Sequence, residues 1–197
     1  MTVIIAHIKG PSGSGKTTIG HIINQKYPFV KNIDTDDIIL KDMPCIFPEM
    51  YTKYLKMNKL DLFRKKYFSE SLFQSIKPYK YVVLVGDVRL KIDENYYNIE
   101  NINTKNKYVI NIDENILIER RFNRHLQFMA NNVDHYFKKA KKKPLCIDID
   151  KWINERLYWG HTRDIYYEKT KKEGYLKLSQ NEIIDQIKKI INENIQI

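Results

Sequence analysis

The chain has little cysteine, glycine or arginine and no long apolar run. Cys45 and Cys146 are its only cysteines, and no C-x-x-C pair or Cys/His cluster exists. That suits a reducing compartment and leaves no metal site of the zinc kind. The apolar stretch from Val3 to Ile8 is too short to span a membrane and does not lead into a small-residue cleavage site, so a cytoplasmic protein without membrane partners is expected. Arginine supplies 7 of the 34 basic residues and lysine the rest, against 24 acidic ones, for a formal charge of +10. This charge invites a nucleic-acid reading, but a lysine bias beside abundant Ile, Asn and Tyr also fits an AT-rich genome. The run Lys138-Lys139-Ala140-Lys141-Lys142-Lys143 reads as a phosphate-contacting patch or, more ordinarily, as a solvated basic face. With 197 residues, 43% hydrophobic, and neither repeat nor low-complexity linker, a single domain over 1–197 is expected.

Glycine is scarce but not scattered. Three of the seven fall in Gly10-Pro11-Ser12-Gly13-Ser14-Gly15-Lys16-Thr17, which fits G-x-x-x-x-G-K-[ST]. At average residue usage such a match arises by accident in a chain of this length at a rate on the order of one per cent. Its context agrees: Thr2 to Ile8 reads as a buried parallel strand and Thr17 to Ile23 as the start of a helix. A glycine-rich surface turn is the bland alternative. The chemistry points to a nucleoside triphosphate: Gly10, Ser12, Gly13, Ser14, Gly15 and Thr18 would form or flank the cradle. Lys16 would reach the β- and γ-oxygens and stabilise transferring charge, and the Thr17 hydroxyl would help to hold Mg²⁺.

Further strands are expected at Phe29–Ile33, Tyr81–Gly86, Lys107–Ile112 and Tyr175–Leu178. An aromatic helical insertion for substrate binding spans about 38–78. A helix capped by Asp113 carries Arg120, Arg121 and Arg124, and more helix follows to about Lys142 and from about Asp150 to Lys172. Gly174 ends that helix, and Ser179-Gln180-Asn181-Glu182 is a capping box opening the last one. Alternating strands and helices imply a parallel sheet covered on both faces, hence three α/β/α layers with five strands, and the segment of about 126–161 reads as a helical lid.

Carboxylates at the end of a parallel strand face the ligand crevice. Asp34 and Asp36, read as two apart on an extended segment, are candidates for Mg²⁺ support and for an acceptor-binding general base, with helix capping as the ordinary alternative. Gly86-Asp87-Val88-Arg89 follows the third strand, offering Asp87 to metal, water or the acceptor and Arg89 to an anionic group on the acceptor, with ordinary loop polarity as the alternative. Arg120 and Arg124 share a helix face, and one of the clustered arginines would stack on the adenine or close on the phosphates during catalysis, unless they are surface salt-bridge partners. Arg163 is a second lid-side candidate for the nucleotide. His125, His135 and His161 read as surface or packing residues, and Trp152 and Trp159 as a packed stripe.

This order resembles the small P-loop kinases of the nucleoside monophosphate kinase, shikimate kinase and gluconate kinase group. Ile4 to Thr18 looks like their nucleotide-binding start. Ile33-Asp34-Thr35-Asp36-Asp37 is similar to the Asp-x-Asp of the shikimate kinase type, where the first Asp serves Mg²⁺ and the second the acceptor. Ile110 to Arg124 is similar to the strand and helix before their lid, and Arg163 to Glu168 to the Arg and Tyr after it. The chain lacks the shikimate kinase glycine triplet at Gly86-Asp87-Val88 and keeps only Gly and Arg of the Asp-Gly-x-Pro-Arg of nucleoside monophosphate kinases. The resemblance implies a P-loop NTPase fold and a phosphotransferase using ATP and Mg²⁺ on a small acceptor, a nucleoside or nucleotide first. A polynucleotide 5′-kinase using the basic lid, and a non-catalytic ATP-binding regulatory module, are the alternatives.

Overall fold

The computed structural model describes residues 2–87, 89–92, 95–98, 102, 104–131 and 160–195, with the backbone alone for 89–92, 95–98, 125, 128–129, 160–165 and 194. Its centre is strand β1 (Val3–Lys9), a β-branched run that is buried from Ile5 onward. Such a strand lacks the polar alternation of a one-sided sheet and needs cover on both faces. It receives it inside a five-stranded, all-parallel sheet of order β2-β3-β1-β6-β7, with β2 at Val30–Asp34, β3 at Tyr81–Val85, β6 at Lys107–Ile110 and β7 at Leu176–Leu178. A two-stranded antiparallel hairpin, β4 (Arg89–Ile92) and β5 (Asn95–Asn98), stands apart from it.

Helix α1 (Lys16–Lys26) and the last helix, α8 (Gln180–Asn194), cover one face. Ile19 and Ile23 of α1 meet Ile183, Ile187 and Ile191 of α8 over Ile5, Ile8, Val83, Val85 and Ile110. At roughly 1.5–3 kcal/mol for each large aliphatic side chain taken from water, this seam is a major source of stability. Between β2 and β3 the chain forms α2 (Thr35–Asp37), a π-helical turn (Ile38–Asp42), α3 (Met43–Ile46), α4 (Pro48–Lys56) and α5 (Leu60–Ile76). Ile38, Met43, Phe63 and Phe68 from this insertion pack on Ile33, Val82 and Leu84 of the opposite face. Phe63 sits among the rings of Tyr51, Tyr54 and Tyr67 at centroid distances of 5.7, 5.8 and 5.1 Å. Helix α7 (Gly160–Lys172) covers the far end, where Tyr166 and Tyr167 close over Val109 and Tyr175. Helix α6 (Glu114–Asn131) leaves the sheet after β6.

The expected parallel sheet, its five strands and its helical layers are present, with element ends shifted by a few residues. The helix caps are as expected: Asn115 and Ile116 donate their backbone N–H to Asp113 Oδ1, and Ser179 and Glu182 form the reciprocal capping box. Gly174, at φ +84°, follows α7. The antiparallel hairpin was not expected. Most of the 126–161 segment, including Lys138–Lys143, His135, Trp152 and Trp159, lies outside the described residues, and so does Arg156. No described helix is long and apolar enough to cross a membrane.

Candidate functional site

The turn between β1 and α1 sets the site. Gly15 stands at φ +91° and ψ +23°, directly before the first helical residue, Lys16. A side chain at this position would be strained, and a built Cβ would lie 1.9 Å from Gln180 Nε2. The Ser14 N–H donates to Pro11 O at 3.0 Å, closing the loop on itself.

Other side chains take up the loop's carbonyls. Lys16 Nζ donates to Gly10 O at 2.8 Å and to Pro11 O at 3.3 Å. Arg121 Nε donates to Ser12 O at 2.8 Å, and Gln180 Nε2 to Ser14 O at 2.6 Å. Four of the loop's carbonyls are therefore engaged by three side chains. A trans peptide points its C=O and N–H in opposite senses, so the held carbonyls of Pro11, Ser12 and Ser14 turn the N–H groups of Ser12, Gly13 and Gly15 the other way; Gly10 O is followed by Pro11, which has none.

Beside this loop lies a cleft of about 340 Å³ lined by Gly10, Pro11, Ser12, Gly13, Gly15, Lys16, Thr17, Thr18, Asp34, Asp36, Asp87, Arg124 and Tyr166. Ser14 is buried behind it, and its hydroxyl has no hydrogen-bond partner among the described residues. Thr17 Oγ1 donates to Asp34 Oδ2 at 3.1 Å. Asp34 Oδ1 accepts from the Asp36 N–H at 3.0 Å and thereby caps α2. This corrects the expectation of an extended Asp34–Asp36 segment: the cap turns the chain helical at Thr35. Both carboxylates still line the cleft, but by bending toward it rather than by alternation along a strand.

The charges in the cleft perturb one another. Burial pushes the Lys16 ammonium below its usual pKa, and Asp34, Asp36 and Asp87 oppose that shift. The cleft walls desolvate the Asp36 carboxyl and, with the charge of Asp34, hold it above the usual carboxylate value. The cleft is thus acidic on the Asp34, Asp36 and Asp87 side and basic at Lys16 and Arg124, an arrangement suited to a metal-bound polyanion. Among the described residues no group of three or more His, Cys, Asp or Glu forms a metal cluster. A cation there would be held by one or two side chains together with its anion, the usual habit of Mg²⁺.

The floor of the site rests on buried polar residues of β1. Lys9, 1% exposed, lies 3.0 Å from Glu173 Oε2 and 3.7 Å from Asp87 Oδ1. Its ammonium also stands 4.7 Å from the centre of the Tyr175 ring. His7 is buried, and burial, followed by the charge of Lys9, pushes its pKa down to about 3, so it is neutral at physiological pH. Because Gly86 O can only accept, His7 Nε2 donates to it at 3.2 Å, and Nδ1 accepts from Tyr175 Oη at 2.5 Å. Gly86 stands at φ +132°, and a built Cβ would lie 1.8 Å from Thr35 Oγ1. The ends of β2 and β3 can therefore approach only with glycine here.

Of the expected residues, Gly10, Ser12, Gly13, Gly15, Lys16, Thr17, Thr18, Asp34, Asp36, Asp87 and Arg124 meet at this cleft. Arg120 lies beside the loop, its Nη1 3.5 Å from the position a Gly15 Cβ would take. Arg89 opens β4 and Arg163 lies in α7, with side chains outside the described atoms. Three contributors were not singled out from sequence: Tyr166 in the wall, Lys9 beneath it and Gln180 behind the loop. Gln180 had been visible only as part of a capping box, and Tyr166 only as a neighbour of Arg163.

No family model matches the chain, and no curated protein does. Among solved structures, one of an uncharacterized protein from Eubacterium ventriosum ATCC 27560 is similar over 98% of this chain and 100% of that one, at 17% identity. Its TM-score of 0.37 is too low for any argument about fold or activity.

Proposed function

We propose that the chain is a P-loop phosphotransferase that moves the γ-phosphoryl group of ATP, as its Mg²⁺ complex, to a small acceptor, a nucleoside or nucleotide first. The supporting observation is the loop Gly10–Gly15, whose Gly10, Pro11, Ser12 and Ser14 carbonyls are each held by a donor while the loop lines a cleft bearing Lys16, Arg124 and three carboxylates. A cradle with occupied carbonyls presents amide N–H groups, the donor set that phosphate oxygens need.

The loop amides and Lys16 would hold the phosphates, and Thr17 with Asp34 would hold Mg²⁺. When bound, the cation neutralises charge on the phosphate oxygens. Lys16 must exchange its contacts with Gly10 O and Pro11 O for phosphate oxygens, a short swing of one side chain. Burial that weakens its hydration strengthens its pull on an anion. Asp36, with its raised proton affinity, is placed to orient an acceptor hydroxyl and receive its proton, and Asp87 to contact the rest of the acceptor. Arg124, on the basic wall, would stabilise charge on the transferring group, with Arg120 beside the loop.

Labelled ATP and Mg²⁺ incubated with a panel of nucleosides, nucleotides, sugars and oligonucleotides tests the proposal. Transfer to a nucleoside or nucleotide is expected. Tight ATP binding without transfer to any acceptor would instead identify a regulatory nucleotide-binding module, and transfer only to oligonucleotide ends a polynucleotide kinase.

A further inference from the structure

Gln180 is the first residue of α8, separated from the loop by most of the chain, yet its Nε2 donates to Ser14 O at 2.6 Å. The contact is built into the fold at both ends. The Ser179–Glu182 capping box fixes the start of α8, and Ile183, Ile187 and Ile191 seat the helix on the sheet. On the loop side only glycine fits: a Cβ at Gly15 would lie 1.9 Å from Gln180 Nε2 and 3.2 Å from Cδ. The missing side chain at Gly15 thus has two reasons, its left-handed backbone and the amide that fills the space.

The Ser14 carbonyl and the Gly15 N–H belong to one peptide unit. In a trans peptide they point in opposite directions, so a donor on the carbonyl fixes the heading of the N–H. We infer that Gln180 is a positioning residue of the loop: by holding Ser14 O, it orients the Gly15 N–H toward the cleft before any anion arrives. Its ligand is therefore indirect, a phosphate of the polyanion that the loop takes. Neutral amide chemistry suits this role, because a carboxylate would repel both Ser14 O and the anion. Arg121 does the same for Ser12 O and hence for the Gly13 N–H, but its charge gives it a direct attraction for phosphate as well. Gln180 is the cleaner case. The inference rests on the phosphate-binding reading of the loop.

Gln180→Met keeps length and neutrality and removes the donor. Calorimetry with Mg²⁺·ATP, and separately with inorganic pyrophosphate, should show binding weakened by about three- to tenfold, the value of one net hydrogen bond. In steady state, KM for ATP should rise by a similar factor with kcat nearly unchanged, because the oriented amide binds ground and transition states alike. A merely structural residue would lower the melting temperature without this split. Should the methionine disturb α8, Gln180→Asn, favourable at a helix start and one methylene too short, should give the same loss. Wild-type protein that binds polyphosphate, with variants that bind it equally well, overturns the inference alone. Wild-type protein that binds no polyphosphate removes the loop reading and the inference with it.

Discussion

Thr17 Oγ1 donates to Asp34 Oδ2 at 3.1 Å, so the first turn of α1 is tied to the last residue of β2 by the two side chains proposed to hold Mg²⁺. Asp34 also caps α2, and asparagine caps as well as aspartate does. Asp34→Asn therefore removes charge and spares structure. Its Mg²⁺ requirement, measured by titrating activity, should rise about 10–100-fold, as for altered metal-site residues elsewhere. A melting temperature close to wild type should accompany it.

Lys16→Met should reduce turnover by on the order of 10²–10³, the loss seen when one preorganised donor to a transition-state anion is removed. Thermal melting should show no loss of stability, because the folded state desolvates this ammonium and depresses its pKa. Turnover within a few-fold of wild type would remove Lys16 from the chemistry.

Asp36 gives a pH signature. Its carboxyl has a folded pKa above the unfolded value of 3.8, so in the window between them the folded state holds the proton more tightly than the unfolded one. Ionisation as pH rises therefore costs stability, and Asp36→Asn should melt higher than wild type near neutral pH, with the difference vanishing as pH falls toward 3.8. The same variant should lose kcat with ATP affinity little changed. A variant less stable than wild type at neutral pH would contradict the electrostatics.

Gly86→Ala should destabilise by about 1–3 kcal/mol from backbone strain alone, and by more from its overlap with Thr35. Thr35→Ala in that background should recover the steric share and leave the strain. Thr35→Val alone replaces a buried hydroxyl that has no hydrogen-bond partner among the described residues, so denaturant unfolding should show a neutral or slightly stabilised protein.

Lys9→Met leaves Asp87 and Glu173 without their shared ammonium. Removing one member of a fully buried pair costs about 3–5 kcal/mol, and partial exposure of both carboxylates, 13% and 25%, should bring the loss in chemical denaturation below that range.

What the sequence disclosed is what lies close along the chain. The strand, loop and helix from Val3 to Lys26 were legible because the loop pattern, the β-branched run before it and the helical spacing after it are local. Asp34 was legible as a carboxylate ending a strand. The fold of Asp34–Asp36 was not, because a side-chain cap competes with extended backbone and propensity does not decide between them. The hairpin was hidden because Asp93-Glu94 between its strands lacks the glycine that signals such turns. Gln180 and Lys9 were hidden for another reason: their partners Ser14 and Glu173 lie far off in sequence, and only packing of α1 against α8 and of β1 against the end of α7 brings them together.

The order of strands has a consequence for synthesis. β1 emerges first and occupies the middle of the sheet, where Val3 pairs with Tyr81 and His7 with Lys107. On the ribosome, this sticky segment must wait until Lys107–Ile110 has been made before both its edges are closed. Pairing over such separations is slow and leaves apolar edges uncovered. The nascent chain should therefore depend on chaperones, and a ribosome-bound chain ending before β6 should be protease-sensitive through Val3–Lys9 while a released full-length chain is not.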